Sequence, residues 1–537
     1  MIVSHDPLNI SVYRETRLTV ETKPAQSIHL TPSADRDFVK CLGLTSSTML
    51  VMGSMIGSGI FLVSAEISRE VGSPALLIGA WLITGFLTIT AALSYGELAA
   101  MMPHAGGQYV YLREALGPLW GFLYGWTFFL VIQTGTIAAV GVAFGKFFGV
   151  FFPWISSTHW LLHLFKVPPI HIGSSIVVGN MDVGISTQNL MAILMVVALS
   201  VINIFGVKTG ALIQNVFTFA KVAGLLGLVI VGLFIGRNAA ALAANFGANF
   251  WEGVKALHPI QVGASGRMVF VSTLTILAVA QVGSLFSADA WNNVTFTAGE
   301  VINPKRNLPL SLALGTGVVI ALYVACNVIY LNILPLHGSA DGATILQRGI
   351  QHATEDRVAT AALTQMFGAI GGYLMAAAIM VSSFGCNNGL ILSGARVYYA
   401  MAKDGLFFRS AAKLHPTYKT PAVSLMVQMV WICILCVSGS YGQLLDYVVF
   451  AVLVFYILTI AGLFVLRFKR PNVERPYRAI GYPVLPAIYI VMAIFIDIVL
   501  LLYKPQFTWP GLIIVLLGIP VYYIWRSRRP VAEPSAV

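Results

Sequence analysis

Gly57, Ser58 and Gly59 stand in the middle of an apolar run, within "MGSMIGSGIF" from Met52 to Phe61. Glycine has no Cβ, so its backbone amide can approach a carboxylate without obstruction. Glycine is also a poor helix former, costing a helix interior about 1 kcal/mol. Taken alone, the segment reads best as a packing surface, because small residues four apart, such as Gly53 and Gly57, let helices come close. A second segment changes that reading. From Gly283 to Asn293 the chain runs "GSLFSADAWNN", again small and polar residues inside an apolar stretch.

Two interrupted helices at matching places in two halves of a chain point to an inverted-repeat transport fold. Each interruption frees N–H groups at a new helix N-terminus and carbonyls at a new C-terminus. In lipid such groups must be buried in protein or line a cavity. The amides of Gly57, Ser58 and Gly59 suit an anion, and a helix dipole adds up to about 2 kcal/mol in a buried geometry. Carbonyls of the two breaks can accept from an ammonium. A site with both features fits a zwitterion, of which an α-amino acid is the simplest.

The elements that must hold these residues follow from composition. The chain has 537 residues, 57% hydrophobic and 10% charged, with a mean hydropathy of +0.82. Soluble domains are about a quarter charged, so this is a polytopic membrane protein. Spanning a bilayer takes about 20 apolar residues. Twelve spans are expected, near 45–69, 73–101, 117–151, 188–206, 212–236, 268–299, 308–334, 361–401, 421–438, 444–467, 484–503 and 509–526. The long outer loops near 152–187, 237–267 and 335–360 have room for short interfacial helices.

The net charge of +11 follows topology. The N-terminal tail, the even-numbered loops and the C-terminus hold 22 of the 32 Lys and Arg. The bias puts both termini in the cytoplasm, with lipid rather than nucleic acid as the partner of the basic surface. The first 43 residues lack the apolar run of a signal peptide and read as a tail. All ten His lie in tails or loops. His159 and His163 have an i,i+4 spacing that a zinc site could use on a helix, but no third ligand accompanies them, and no metal or other cofactor is expected. Cys433 and Cys436 sit in an apolar segment and read as packing residues.

Lys221 lies about 13 Å into span 5 at 1.5 Å per residue, too deep to reach the interface easily. Such a lysine is a functional candidate by default. Burial disfavours its charge and carbonyl partners favour it. A fixed strut between spans 5 and 1 would be compatible with that role.

Several motifs now fall into order: "GSMIGSGIF", "SYGELAAMMPHAGGQYVYLREALGPLWGFLYGW", "FTFAK", "EVINPKRNLPLSL", "FGCNNG", "GARVYYAMAKDG" and "RPNVERPYRAIGYP". Together the chain, from about residue 40 to about 500, resembles the L-type amino-acid transporters of the amino acid–polyamine–organocation superfamily. The resemblance implies an all-α integral membrane fold of twelve helices. Its core is a five-plus-five inverted repeat of the LeuT-like kind, with helices 1 and 6 broken and two extra helices. The organisation would be a tail over 1–43, repeat 1 over 44–238, repeat 2 over 239–470, spans 11 and 12 over 471–528, and a tail over 529–537.

It further implies alternating access, with the substrate carboxylate on Gly57, Ser58 and Gly59. Ile56 and Phe286, with Ser287, Ala288 and Asp289 beside them, would supply carbonyls or walls near the amino group, and Phe286 would be the aromatic gate. Lys221 would stand where sodium-driven relatives keep a cation, so transport would be sodium-independent, by exchange or proton symport. Asp289 departs from the L-type pattern, which has small residues before the aromatic matching Trp291. An acid there could hold the substrate ammonium, pair with a basic substrate, carry a proton, or cap the resumed helix.

Gln133, Thr134, Asn387, Asn388 and Ser393 read as interhelical hydrogen-bonding residues, and Glu97 and Asp497 as structural. The family's eukaryotic members are tethered to a heavy chain through a cysteine between spans 3 and 4. Residues 152 to 187 contain none, so no disulfide-linked partner is expected, and the chain would be a monomer or weak homo-oligomer in the plasma (inner) membrane. An intramembrane enzyme would need a convergent acid, base or nucleophile set that Lys221 and Asp289 alone do not make. A non-transporting amino-acid sensor of the same fold is the alternative.

Overall fold

In a computed structural model, the structure describes residues 38–168, 170–172, 176–178, 181–262, 267–438 and 441–527. The expected C-terminal tail and all but the last residues of the N-terminal one lie outside these.

Span 1 is two helices, α1 (Leu44–Met55) and α2 (Gly59–Val71). Gly72, at φ 58°, ends α2, and Pro74 opens α3 (Pro74–Met101), which is span 2. A short helix α4 (Gln108–Leu116) leads to span 3, made of α5 (Pro118–Thr127), a π-helical turn over Phe128–Ile132, and α6 (Gln133–Phe148). Four strands follow, β1 (Trp160–Val167), β2 (Ile170–Ile172), β3 (Ile176–Val178) and β4 (Met181–Ser186). They form two antiparallel pairs, β1 with β4 and β2 with β3. Ser186 caps α7 (Thr187–Ile204), span 4, by accepting from the Asn189 amide. Span 5 is α8 (Val207–Phe234).

A short helix α9 (Ala239–Asn245) and the hairpin of β5 (Leu257–Val262) and β6 (Arg267–Ser272) precede span 6. Span 6 is α10 (Thr273–Ser287), a non-helical stretch, and a single turn, α11 (Asn293–Phe296). Then come α12 (Pro304–Ile333), α13 (Ile345–Arg348) and α14 (Val358–Lys403), which bends at Gly368 (φ 62°). The last four are α15 (Ala422–Ser438), α16 (Tyr441–Lys469), α17 (Val484–Tyr503) and α18 (Pro505–Ser527).

Among the described residues, ten helical segments are long and apolar enough to cross a membrane, and shorter apolar helices cover 273–287 and 422–437. Two expectations change. Span 6 does not begin at 268, because residues up to Ser272 finish the β5–β6 hairpin. The 152–187 loop carries strands rather than an interfacial helix, so His159 and His163 have no helical spacing, and His163 instead meets Asp182 at 3.1 Å.

The helices pack in a pattern related by a two-fold exchange of halves. Span 1 packs on span 5 as span 6 does on span 10 (α16), span 1 on span 7 (α12) as span 6 on span 2, and span 8 (α14) on span 5 as span 3 on span 10. The α8 sequence shows how burial works here. Its inner stripe is Gln214, Thr218, Lys221, Leu225 and Leu228, all buried, while Leu212, Val216, Phe219 and Ile230 are exposed. The polar residues need partners that lipid cannot supply, so they turn inward and the apolar ones face outward.

Candidate functional site

The first break begins where α1 stops at Met55. Ile56 takes ψ 88°, which no helix permits, and α2 restarts after Ser58. The first amides of α2 have no intrahelical acceptor, and all residues from Ile56 to Gly59 are buried. The Ser58 hydroxyl is also buried without a partner. Gly59 is required by close approach, since a Cβ on it would lie 2.2 Å from Ser287 Oγ on α10. Gly53 serves the packing role expected of it, for a Cβ there would fall 1.9 Å from Gln214 Nε2 on α8.

The carbonyl end of α1 is enclosed by donors. Lys221 Nζ donates to the carbonyl oxygens of Gly53 (2.6 Å), Ile56 (2.8 Å) and, on α14, Ser382 (3.3 Å). Ser382 Oγ reaches the Ile56 and Gly57 carbonyls at 3.1 and 3.2 Å. Cys386 Sγ reaches the Ser54 carbonyl at 3.1 Å. The Ile56 carbonyl thus already accepts from two side chains, which places it with the helix-tethering groups. Lys221 meets acceptors from spans 1 and 8.

The second break follows Ser287. Ala288 and Asp289 donate their amides back to Ser284 (3.0 Å) and Phe286 (3.2 Å), and Ala290 has φ 65°. Asp289 does not cap the resumed helix, whose flanking residue is Asn292. Its Oδ1 instead accepts from Tyr456 Oη on α16 at 2.6 Å. Trp291 packs against Tyr95 and Tyr456, with ring centroids 4.8 and 5.1 Å apart. Two cavities meet at Asp289 and Tyr456. One, a small space, is bounded by Thr88, Leu285, Trp291 and Tyr489, and the other, smaller still, by Gln108, Tyr124, Gln133 and Asn293. Phe286 is buried and is not among the residues that line either.

Side-chain amides fasten the turn after the break. Asn292 Nδ2 donates to Gln108 Oε1 (2.9 Å), and Gln133 Nε2 and Ser393 Oγ donate to Asn293 Oδ1 at 3.2 and 2.9 Å. Asn388 Nδ2 meets the Gly210 carbonyl (3.0 Å), Asn387 Nδ2 the Ile137 carbonyl (3.0 Å), and Thr134 Oγ1 the Phe129 carbonyl within its own helix (2.6 Å).

The structure therefore joins Gly59 to Ser287 and Lys221 to Ile56. It sets Asp289 between two cavities, one toward spans 2, 10 and 11 (α17) and the other toward span 3. Sequence reading missed Tyr456, Tyr323, Ser382 and Cys386. Nothing in the sequence singles out two of 20 tyrosines.

Ion pairs stand at both ends of the bundle. On the side expected to be cytoplasmic, Glu97 accepts from Arg467 (2.9 and 2.6 Å) and from the Ala479 amide (2.7 Å), Arg113 pairs with Asp404, and Arg396 with Glu300 (2.9 Å). On the other, Arg69 meets Asp356 (2.7 Å) and Lys504 meets Glu70 (3.0 Å).

Comparison with known proteins shows the family. A family model described as amino acid permease matches residues 42–523. The serine/threonine exchanger SteT of Bacillus subtilis is 30% identical over 497 residues, covering 92% of this chain and 99% of that protein. The human large neutral amino acids transporter small subunit 2 is 27% identical over 499 residues, 91% of this chain and 81% of its own length. The human b(0,+)-type amino acid transporter 1 is 27% identical over 520 residues, 95% and 93% of the two chains.

Proposed function

Because this chain belongs to the amino acid permease family, a family of multi-pass membrane transporters rather than enzymes, we propose that it moves L-α-amino acids across the plasma membrane by sodium-independent alternating access. The observation that carries this reading is the contact of the two breaks, where Gly59 at the start of α2 packs on Ser287 at the end of α10. Substrate carboxylate sits on the amides of Ser58 and Gly59, with Gly57, whose own amide donates to the Met55 carbonyl at 2.9 Å, leaving room beside them. Its ammonium lies toward the second break, near Phe286, Ser287, Ala288 and Asp289. The occupied Ile56 carbonyl supports that placement, because two donors already use it.

Lys221 holds the place of a cation between spans 1 and 8 and works in coupling or gating, together with Phe286 and Asp289. Coupling is by exchange or by proton symport. Rocking of the core must part the Glu97–Arg467 and Arg113–Asp404 pairs when the inner side opens, and the Arg69–Asp356 pair when the outer side opens. Residues 44–238 and 239–470 are the two repeats and 471–528 the added helices, twelve crossings in all, with both termini cytoplasmic. The absence of cysteine from 152 to 187 supports action without a disulfide-linked heavy chain.

The test is uptake by proteoliposomes. Flux of intact labelled amino acid is expected, competed by a subset of the twenty, and unchanged when choline replaces sodium. Imposing a proton gradient or loading internal substrate then separates symport from exchange. Binding without flux would favour the sensor reading, and sodium-dependent flux would overturn the role of Lys221.

A further inference from the structure

Tyr323 on α12 is fully buried, and its hydroxyl lies 3.0 Å from the Met55 carbonyl oxygen and 3.1 Å from that of Ser287. Met55 is the last residue of α1 and Ser287 the last of α10. The two carbonyls are thus the negative ends of two half-helix dipoles, brought face to face inside the bundle. The Met55 carbonyl also accepts from the Gly57 amide at 2.9 Å, but two facing carbonyls buried in the bundle still repel each other. The phenol supplies one proton between them. An edge-on Trp81 ring, 5.5 Å away, fixes its direction.

We infer that Tyr323 is a positioning residue, setting the distance between the two helix breaks without touching substrate. The inference rests on the reading of those breaks as the substrate site. The link to the site is short. Ser287 is the residue on which Gly59 packs, and Gly59 begins α2 only four residues after Met55. Releasing the α10 end from the α1 end therefore alters the gap in which the α2 amides meet the substrate.

Tyr330 provides the control. It lies two turns further along α12, equally buried, and donates to the Ile60 carbonyl at 3.3 Å, past the break. Both Tyr→Phe variants lose one buried hydroxyl bond, but only one of them frees the breaks.

The experiment measures equilibrium binding of labelled amino acid to the purified full-length protein, and uptake kinetics in cells. Tyr323→Phe should raise Kd and the half-saturation concentration about tenfold, because the lost bond is the one that holds the two breaks together beside the substrate, whereas Tyr330→Phe, which loses a comparable bond past the break, should stay within about twofold of wild type. A general loss of packing would lower the maximal rate through abundance and leave half-saturation unchanged, a readout that needs no purification. The inference is overturned by a wild-type half-saturation in Tyr323→Phe, or by an equal rise in Tyr330→Phe. Ser58→Val separates the two claims. If it binds substrate normally, the site reading itself fails. If it does not bind and Tyr323→Phe does so normally, only the role of Tyr323 fails.

Discussion

The Lys221 ammonium sits 2.8 Å from the Ile56 carbonyl oxygen and 2.6 Å from that of Gly53, so one side chain of span 5 holds the unwound end of α1. Span 10, the counterpart of span 5 in the second half, does the same for the other break, with Tyr456 holding Asp289 at 2.6 Å. The chemistry is exchanged along with the halves. At the first break a cation meets carbonyls, and at the second a hydroxyl meets an acid.

Lys221→Ala should cut transport to less than about a tenth of wild type while the protein remains folded, because each lost charged hydrogen bond is worth about 1.5–3 kcal/mol. Lys221→Arg should not restore it. The three acceptors surround a compact ammonium, and a planar guanidinium cannot match them. Uptake normalised to surface protein checks both, and wild-type flux in the alanine variant would refute the role.

Replacing Gly59 or Ser58 with Val should abolish substrate binding. For Gly59 the reason is steric, since even a Cβ would lie 2.2 Å from Ser287 Oγ. Gly59→Ala should therefore be relieved in part by Ser287→Gly, which removes the obstructing hydroxyl. Equilibrium binding to the three variants decides this. Equal loss in the single and double variants would count against the contact.

Asp289→Asn and Tyr456→Phe should each raise the half-saturation concentration, and the double variant should be no worse than Asp289→Asn alone. Groups joined in one hydrogen bond are not additive. Competition by acidic, neutral and basic amino acids should shift most for those with a basic side chain if Asp289 meets it. Fully additive effects would show that the two residues act separately.

Glu300 and Arg396 form an ion pair with both side chains 1% exposed. Glu300→Ala leaves the guanidinium buried and unpaired, and should destabilise the protein by about 3–5 kcal/mol. Replacing both partners by Leu should recover much of that loss. Thermal unfolding in detergent reports the difference, and a wild-type midpoint for Glu300→Ala would show that water reaches the pair.

The membrane class, the breaks at Gly57–Gly59 and near Asp289, and the burial of Lys221 were all legible in the sequence. Each rests on local chemistry: apolar length, helix-breaking residues, and the cost of a charge in lipid. The strands of the 152–187 loop were not, because an exposed apolar run such as WLLHLFKV shows no alternation, and a short apolar run without periodicity does not separate strand from helix. Only the tertiary structure could decide which carbonyl Lys221 takes, that Tyr456 meets Asp289, and that Tyr323 joins Met55 to Ser287 across 268 and 36 residues of chain. Those pairings depend on how helices distant in sequence are rotated and set against one another. That setting is the joint outcome of every packed face, and no single segment encodes it.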